Sequence, residues 1–154
     1  MSAVQSALPP GVERRVGGCT VFVCTVGDRE YCLAQTGVGL EKAERTAAQL
    51  LDSQSFSLVV STGFACALIA ADIGALLVGR EVVYCGNHGD KPSAVLDVPG
   101  GERDLTVTYV ETLVPSEHIG RFVSTDHIIG SAREKQRFAQ RTQAIGLDME
   151  SSAL

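Results

Sequence analysis

Apolar residues along this chain fall in short runs separated by glycine, proline and charged positions, and their spacing alternates between two periods. Residues 1–18, punctuated by Pro9, Pro10, Gly11, Gly17 and Gly18, predict irregular structure. Residues 19–26 (CTVFVCTV) are apolar and rich in β-branched side chains, and predict a strand; Gly27-Asp28 is a turn signal, and residues 30–36 its antiparallel partner. Residues 40–52 predict a helix, with Leu40, Ala43, Ala47, Leu50 and Leu51 recurring on one face. A strand is expected at 57–62, then Gly63 and an apolar stretch of small residues, then a strand at 80–85. Residues 87–102 read as a loop with at most a short strand, and 104–111 alternate as a strand does. Residues 115–118 suit a turn or one helical turn, and 121–124 a short strand. Ser131 and Glu134 stand in capping-box spacing ahead of a helix running to about Thr142; 144–147 predict a strand, and a further helix opens at Met149. Strands alternating with helices predict an α/β domain with a mixed, partly parallel sheet and an antiparallel hairpin near the start. No repeat or internal boundary stands out, so residues 1–154 read as a single domain, and one that is incomplete, because a helix rarely stops in its first turn.

Composition narrows the partners. The 154 residues are 45% hydrophobic and 20% charged, with a formal net charge of −5 and no basic stripe, which argues against nucleic acid. No apolar run approaches the roughly 20 residues of a membrane span, and the N-terminus lacks the pattern of a signal peptide, so a cytoplasmic protein with no membrane partner is expected. Five cysteines, an odd number with no CxxC pair, predict buried thiols in place of a disulfide framework. Cys85-Gly-Asn-His88 has no second ligand pair after it, so no metal is expected.

Four segments carry chemistry: Gln35-Thr36-Gly37-Val38-Gly39 before a helix with Lys42 and Ala43; Ser61-Thr62-Gly63-Phe64-Ala65-Cys66-Ala67-Leu68 followed by Val78-Gly79-Arg80-Glu81-Val82-Val83; Ser124-Thr125-Asp126-His127-Ile128-Ile129; and Gly146-Leu147-Asp148-Met149-Glu150-Ser151-Ser152-Ala153. Together, in this order, the chain resembles the nucleoside phosphorylase and nucleosidase superfamily of the purine nucleoside phosphorylase type. The last segment, similar to the family's Val-Asp-Met-Glu-Ser-Ala-Ala, is the most specific. Among subfamilies it looks most like the nucleosidases associated with hopanoid synthesis, then the methylthioadenosine/S-adenosylhomocysteine nucleosidases. The resemblance implies a phosphorylase-like three-layer α/β/α fold. It also implies cleavage of the N-glycosidic bond of a purine-type nucleoside: a hydrolase if water attacks, a glycosyltransferase if phosphate does.

Cleaving that bond builds positive charge on the ribose, and a carboxylate can accept hydrogen bonds from two vicinal hydroxyls at once. The resemblance gives this ribose-binding role to Glu150, with Met149 as an apolar wall under the sugar and Asp148 beside them. Read without it, Asp148 and Glu150 are acids in a first helical turn, which the helix dipole favours. Ile128 and Ile129 match the segment around the base, where an aromatic is common in the family; read alone they are core residues. Phe64 and Ala65 follow a strand end, where α/β sheets bind ligands. Phe64 stands where the phosphorylases place a phosphate-binding hydroxyl, and Arg80 is the nearest candidate for their phosphate-binding arginine, inside a strand, which favours hydrolysis. His118 and His127 read as surface or loop residues. The family's N-terminal catalytic acid has no convincing match, Glu13 being the only acid in residues 1–18, and its base-protonating Asp would lie beyond the last residue, so no catalytic residue is named. The expected partner is a small-molecule nucleoside, with no cofactor, phosphate being an optional co-substrate, and the chain is expected to form a homo-oligomer. The rival readings are a nucleoside-binding or assembly module without catalysis, and a generic doubly wound domain for another small ligand.

Overall fold

The apolar run at Cys19–Val26 becomes the middle of a three-stranded antiparallel sheet in the computed structural model, which describes residues 2–86, 94–96, 109–110 and 112–153. Two compact units divide the chain, Met1–Val59 and Val60–Leu154.

In the first unit a short helix α1 (Ser2–Ser6) precedes β1 (Val12–Val16), β2 (Cys19–Val26), β3 (Arg29–Ala34) and α2 (Leu40–Ser53). Val21, Phe22, Val23 and Cys24 are buried in succession, the burial pattern of a central strand covered on both faces. Residues 1–18 were expected to be irregular, yet β1 pairs with β2 from Val12↔Val23 to Val16↔Cys19. The Gly17-Gly18 pair is the reason: both have positive φ (56° and 86°), the backbone of a two-residue hairpin turn whose twist matches that of its strands. A Cβ on Gly17 would also lie 1.9 Å from the Gln49 carbonyl oxygen, so only glycine lets this turn meet α2. Helix α2 forms where predicted and buries Ala43 and Ala47, while Leu51 is exposed, so the apolar face is narrower than its periodicity suggested.

The second unit holds a five-stranded sheet in the order β4-β8-β7-β5-β6, formed by β4 (Cys66–Ala67), β5 (Val78–Cys85), β6 (Ala94–Leu96), β7 (Ile119–Thr125) and β8 (Ala144–Asp148). Strands β5, β7 and β8 run parallel, and β4 and β6 close the edges antiparallel. Between β7 and β8 lies α3 (Ala132–Thr142); 3₁₀ turns η1 (Ser116–His118) and η2 (Ser151–Ala153) complete the unit. The core is Val83, Cys85, Val123 and Ala144, with Leu68 and Phe138 of α3 packed against it. On the opposite face the Phe122 ring lies over Gly146, where a Cβ would meet ring carbons at 2.7–3.0 Å. The predicted cap holds: Ser131 Oγ accepts from Glu134 N at 3.2 Å and donates to Glu134 Oε2 at 2.7 Å. Helix α3 ends on Gln143 in the left-handed region (φ 56°).

Residues 57–62 depart from expectation. They form no strand, and Leu58, Val59 and Val60 are exposed. A strand exists only through its ladder partners, and the place beside β8 is taken by Cys66–Ala67 instead. The helix expected from Met149 is reduced to η2. The strand expected at 104–111 lies outside the described residues except for Tyr109 and Val110, which are helical. All five cysteines are free thiols, with Cys24 and Cys85 buried; His88 lies outside the described residues. Among the described residues no helix is long and apolar enough to cross a membrane, and no cluster of three His, Cys, Asp or Glu side chains could hold a metal.

Candidate active site

Parallel strands of an α/β sheet finish together, and their carboxyl ends are where ligands bind. Here β5 ends at Cys85, β7 at Thr125 and β8 at Asp148, in register Cys85↔Thr125 and Ser124↔Asp148. Met149 and Glu150 follow directly and are half-buried. Strand β4 is antiparallel to β8 with Cys66 opposite Leu147, so the chain read backwards from Cys66 brings Ala65 and Phe64 to this same end. Five of the seven predicted site residues, Phe64, Ala65, Asp148, Met149 and Glu150, thus share one end of the sheet.

Their environments differ. Phe64 is fully exposed (103%) and Ala65 is exposed as well. The two isoleucines divide: Ile128 is 81% exposed whereas Ile129, at 5%, belongs to the core. One oxygen of Glu150, Oε2, accepts from Met149 N at 3.2 Å. Asp148 is engaged by the chain itself. Its Oδ1 accepts from Ser124 Oγ, from Glu150 N at 3.4 Å and from Ser151 N at 3.3 Å, and its Oδ2 accepts from Ser151 Oγ. That is the behaviour of an N-capping carboxylate, so the helix-start reading of Asp148 is realised in η2.

Sequence reasoning missed Ser124 and Thr125 as site residues. Both are almost completely buried, at 1% and 0% exposure. Ser124 Oγ also accepts from Ser152 N at 3.1 Å; Thr125 Oγ1 lies 2.8 Å from the His127 carbonyl oxygen and 3.4 Å from that of Asp148. Two successive hydroxyl residues directly after the apolar Phe122-Val123 pair were the available signal. Both described histidines have partners: His127 Nδ1 is 2.7 Å from Asp126 Oδ1, and His118 Nδ1 is 3.2 Å from the Leu76 carbonyl oxygen. Arg80 is the extra residue of a bulge early in β5, five positions before Cys85, or about 16 Å along an extended strand. That places it toward the opposite end of the sheet from Asp148. A hollow of about 380 Å³ lies between Leu68–Ile69 and the α3 residues Lys135, Gln136 and Ala139, and none of the predicted site residues lines it. In the first unit, burial and the charge of Glu30 raise the pKa of the Cys32 thiol above its ordinary value, which keeps it protonated and a poor nucleophile.

A mixed sheet with a parallel centre and an Asp-Met-Glu run at its carboxyl end defines a class. The model of the phosphorylase superfamily matches residues 5–154, and the chain belongs to that family. A 5′-methylthioadenosine/S-adenosylhomocysteine nucleosidase of Staphylococcus epidermidis is 26% identical over 148 residues, covering 86% of this chain and 64% of the relative. The chain therefore spans less than two thirds of the length of the curated relatives it matches. The same fold occurs in the 5′-methylthioadenosine/S-adenosylhomocysteine nucleosidase of Neisseria meningitidis in complex with methylthio-immucillin-A, with a TM-score of 0.78, 16% identity, and 99% of this chain and 71% of that one covered. It occurs too in the futalosine hydrolase of Helicobacter pylori, with a TM-score of 0.73, 17% identity, and coverage of 93% and 66%. Those two proteins carry different names on one architecture, so the fold leaves the substrate open.

Proposed function

We propose that this chain carries the ribose-binding part of a site that cleaves the N-glycosidic bond of a purine-type nucleoside, with water as the nucleophile. The observation that carries the reading is the half-buried Glu150 at the carboxyl end of β8, within the Asp148-Met149-Glu150 run and beside the ends of β5 and β7. A carboxylate there can accept from the 2′- and 3′-hydroxyls, with Met149 as the apolar surface beneath the ring. Holding both hydroxyls stabilises the ribose as it gains positive charge, which speeds departure of the base. The activity named for the Staphylococcus relative supports this chemistry and makes methylthioadenosine and S-adenosylhomocysteine the first nucleosides to test.

Water is favoured over phosphate by two features. The Phe64 side chain has no hydrogen-bond donor to offer an anion, and Arg80 lies toward the far end of β5. No cofactor enters this reading.

The test is release of free base from adenosine, methylthioadenosine and S-adenosylhomocysteine, with and without inorganic phosphate. Base release that is independent of phosphate, and that falls by about 100-fold or more in Glu150→Ala at an unchanged melting temperature, is the expected result. A well-folded chain that releases no base from any of the three would remove the catalytic claim. Nucleoside binding without turnover, abolished by the same substitution, would leave a binding module.

A further inference from the structure

The segment after β8 presents three successive backbone N–H groups, those of Glu150, Ser151 and Ser152, and all three are met by side chains rooted in the sheet. Asp148 takes the first two and Ser124 the third. Ser124 and Asp148 are register partners on adjacent parallel strands, and the Ser124 hydroxyl donates to Asp148 Oδ1. The Ser151 hydroxyl closes the group on Asp148 Oδ2. Four donors thus converge on one carboxylate, about its full accepting capacity. Thr125 joins the loop after β7 to the end of β8 through its two carbonyl contacts.

We infer that Ser124, Asp148 and Ser151 form a positioning unit that fixes the backbone of Glu150, and that Asp148 acts through Glu150 without touching the nucleoside. The inference rests on the reading of Glu150 as the ribose ligand. The physical reason is rigidity. A lone 3₁₀ turn has little stability of its own. A turn whose N–H groups, and that of Glu150 just before it, are held by side chains of two hydrogen-bonded strands keeps the residues leading into it in one geometry. Affinity and rate depend on that geometry, because a carboxylate displaced by about 1 Å no longer meets two hydroxyls together. The unit also explains why a serine stands one residue before the end of β7: alanine at 124 would leave Asp148 short of one donor and Ser152 N short of its acceptor.

Two measurements on Ser124→Ala and Asp148→Asn test this. The first is amide hydrogen exchange at Glu150, Ser151 and Ser152, expected to speed up at least tenfold in both variants; exchange unchanged from the parent overturns the positioning unit. The second is affinity for adenosine and for 2′,3′-dideoxyadenosine, measured by calorimetry before base release is measurable. Adenosine is expected to bind about tenfold more weakly to both variants, with dideoxyadenosine unchanged because it offers Glu150 no hydroxyl. Equal losses for the two nucleosides would show general damage and overturn the coupling to Glu150. Failure of the parent chain to bind adenosine would sink the ribose reading, while the exchange rates would still decide the positioning unit. If Asp148→Asn does not fold, Ser151→Ala, which removes one hydroxyl at a half-exposed position, gives the same readout in milder form.

Discussion

The Asp148-Met149-Glu150-Ser151 run shows how far single residues can be read before their partners are known. Its acids were marked through the resemblance of the run to the family's motif, and Glu150 lies half-buried two residues past the end of β8. Asp148 was marked too, and its cap on Ser151 is local, but its hydrogen bond from Ser124 depends on a pairing between residues 24 positions apart, which no local pattern encodes. Ile128 and Ile129 were read as a pair, yet one is exposed and the other core, a division set by packing in the irregular segment after β7. Ser152 offers a sharp test at this scale. Its Oγ is the one buried side-chain oxygen or nitrogen without a partner among the described residues. An unsatisfied buried hydroxyl costs on the order of 1–3 kcal/mol. Ser152→Ala removes it and keeps the backbone N–H that Ser124 accepts. The variant is expected to be more stable than the parent by about 1 kcal/mol in urea unfolding; a loss of stability would mean that the hydroxyl has a role.

Elements were legible where one signal was local and strong. The β2–β3 hairpin, α2, the capped start of α3 and the strands β5, β7 and β8 all follow from period, turn residues and caps in the sequence. The failures are positions where pairing decides. Residues 57–62 have the composition of a strand but no ladder, whereas Val12–Val16, with charged residues at its centre, becomes a strand because Gly17-Gly18 folds it onto β2. Packing between strands sets a second constraint. Phe122 occupies the space a side chain at position 146 would need. Gly146→Ala is expected to destabilise the chain by about 1–3 kcal/mol, as overpacked cores do. Phe122→Leu in the same chain should recover part of that loss. A Gly146→Ala variant with the parent's unfolding midpoint would contradict this packing.

At the scale of the whole molecule, membership of the phosphorylase superfamily rests on the match over residues 5–154. We propose that the chain self-associates. Phe64, Ile73 and Ile128 are each more than 80% exposed, and Val60 and Leu113 are also well exposed, apolar surface that a second copy could cover. Light scattering at micromolar concentration should give at least twice the 16.2 kDa of one chain; a strictly monomeric profile would refute it. The sequence by itself determined the class of fold, most elements and the acids at the end of β8, because hydrophobic period, turn glycines and short motifs act over a few residues. Only the tertiary structure decided which apolar segment finds a strand partner, which isoleucine is core, and that Ser124 of the neighbouring strand holds Asp148. Those outcomes depend on hydrogen bonds and contacts between residues distant in sequence, which come into being only when the strands assemble.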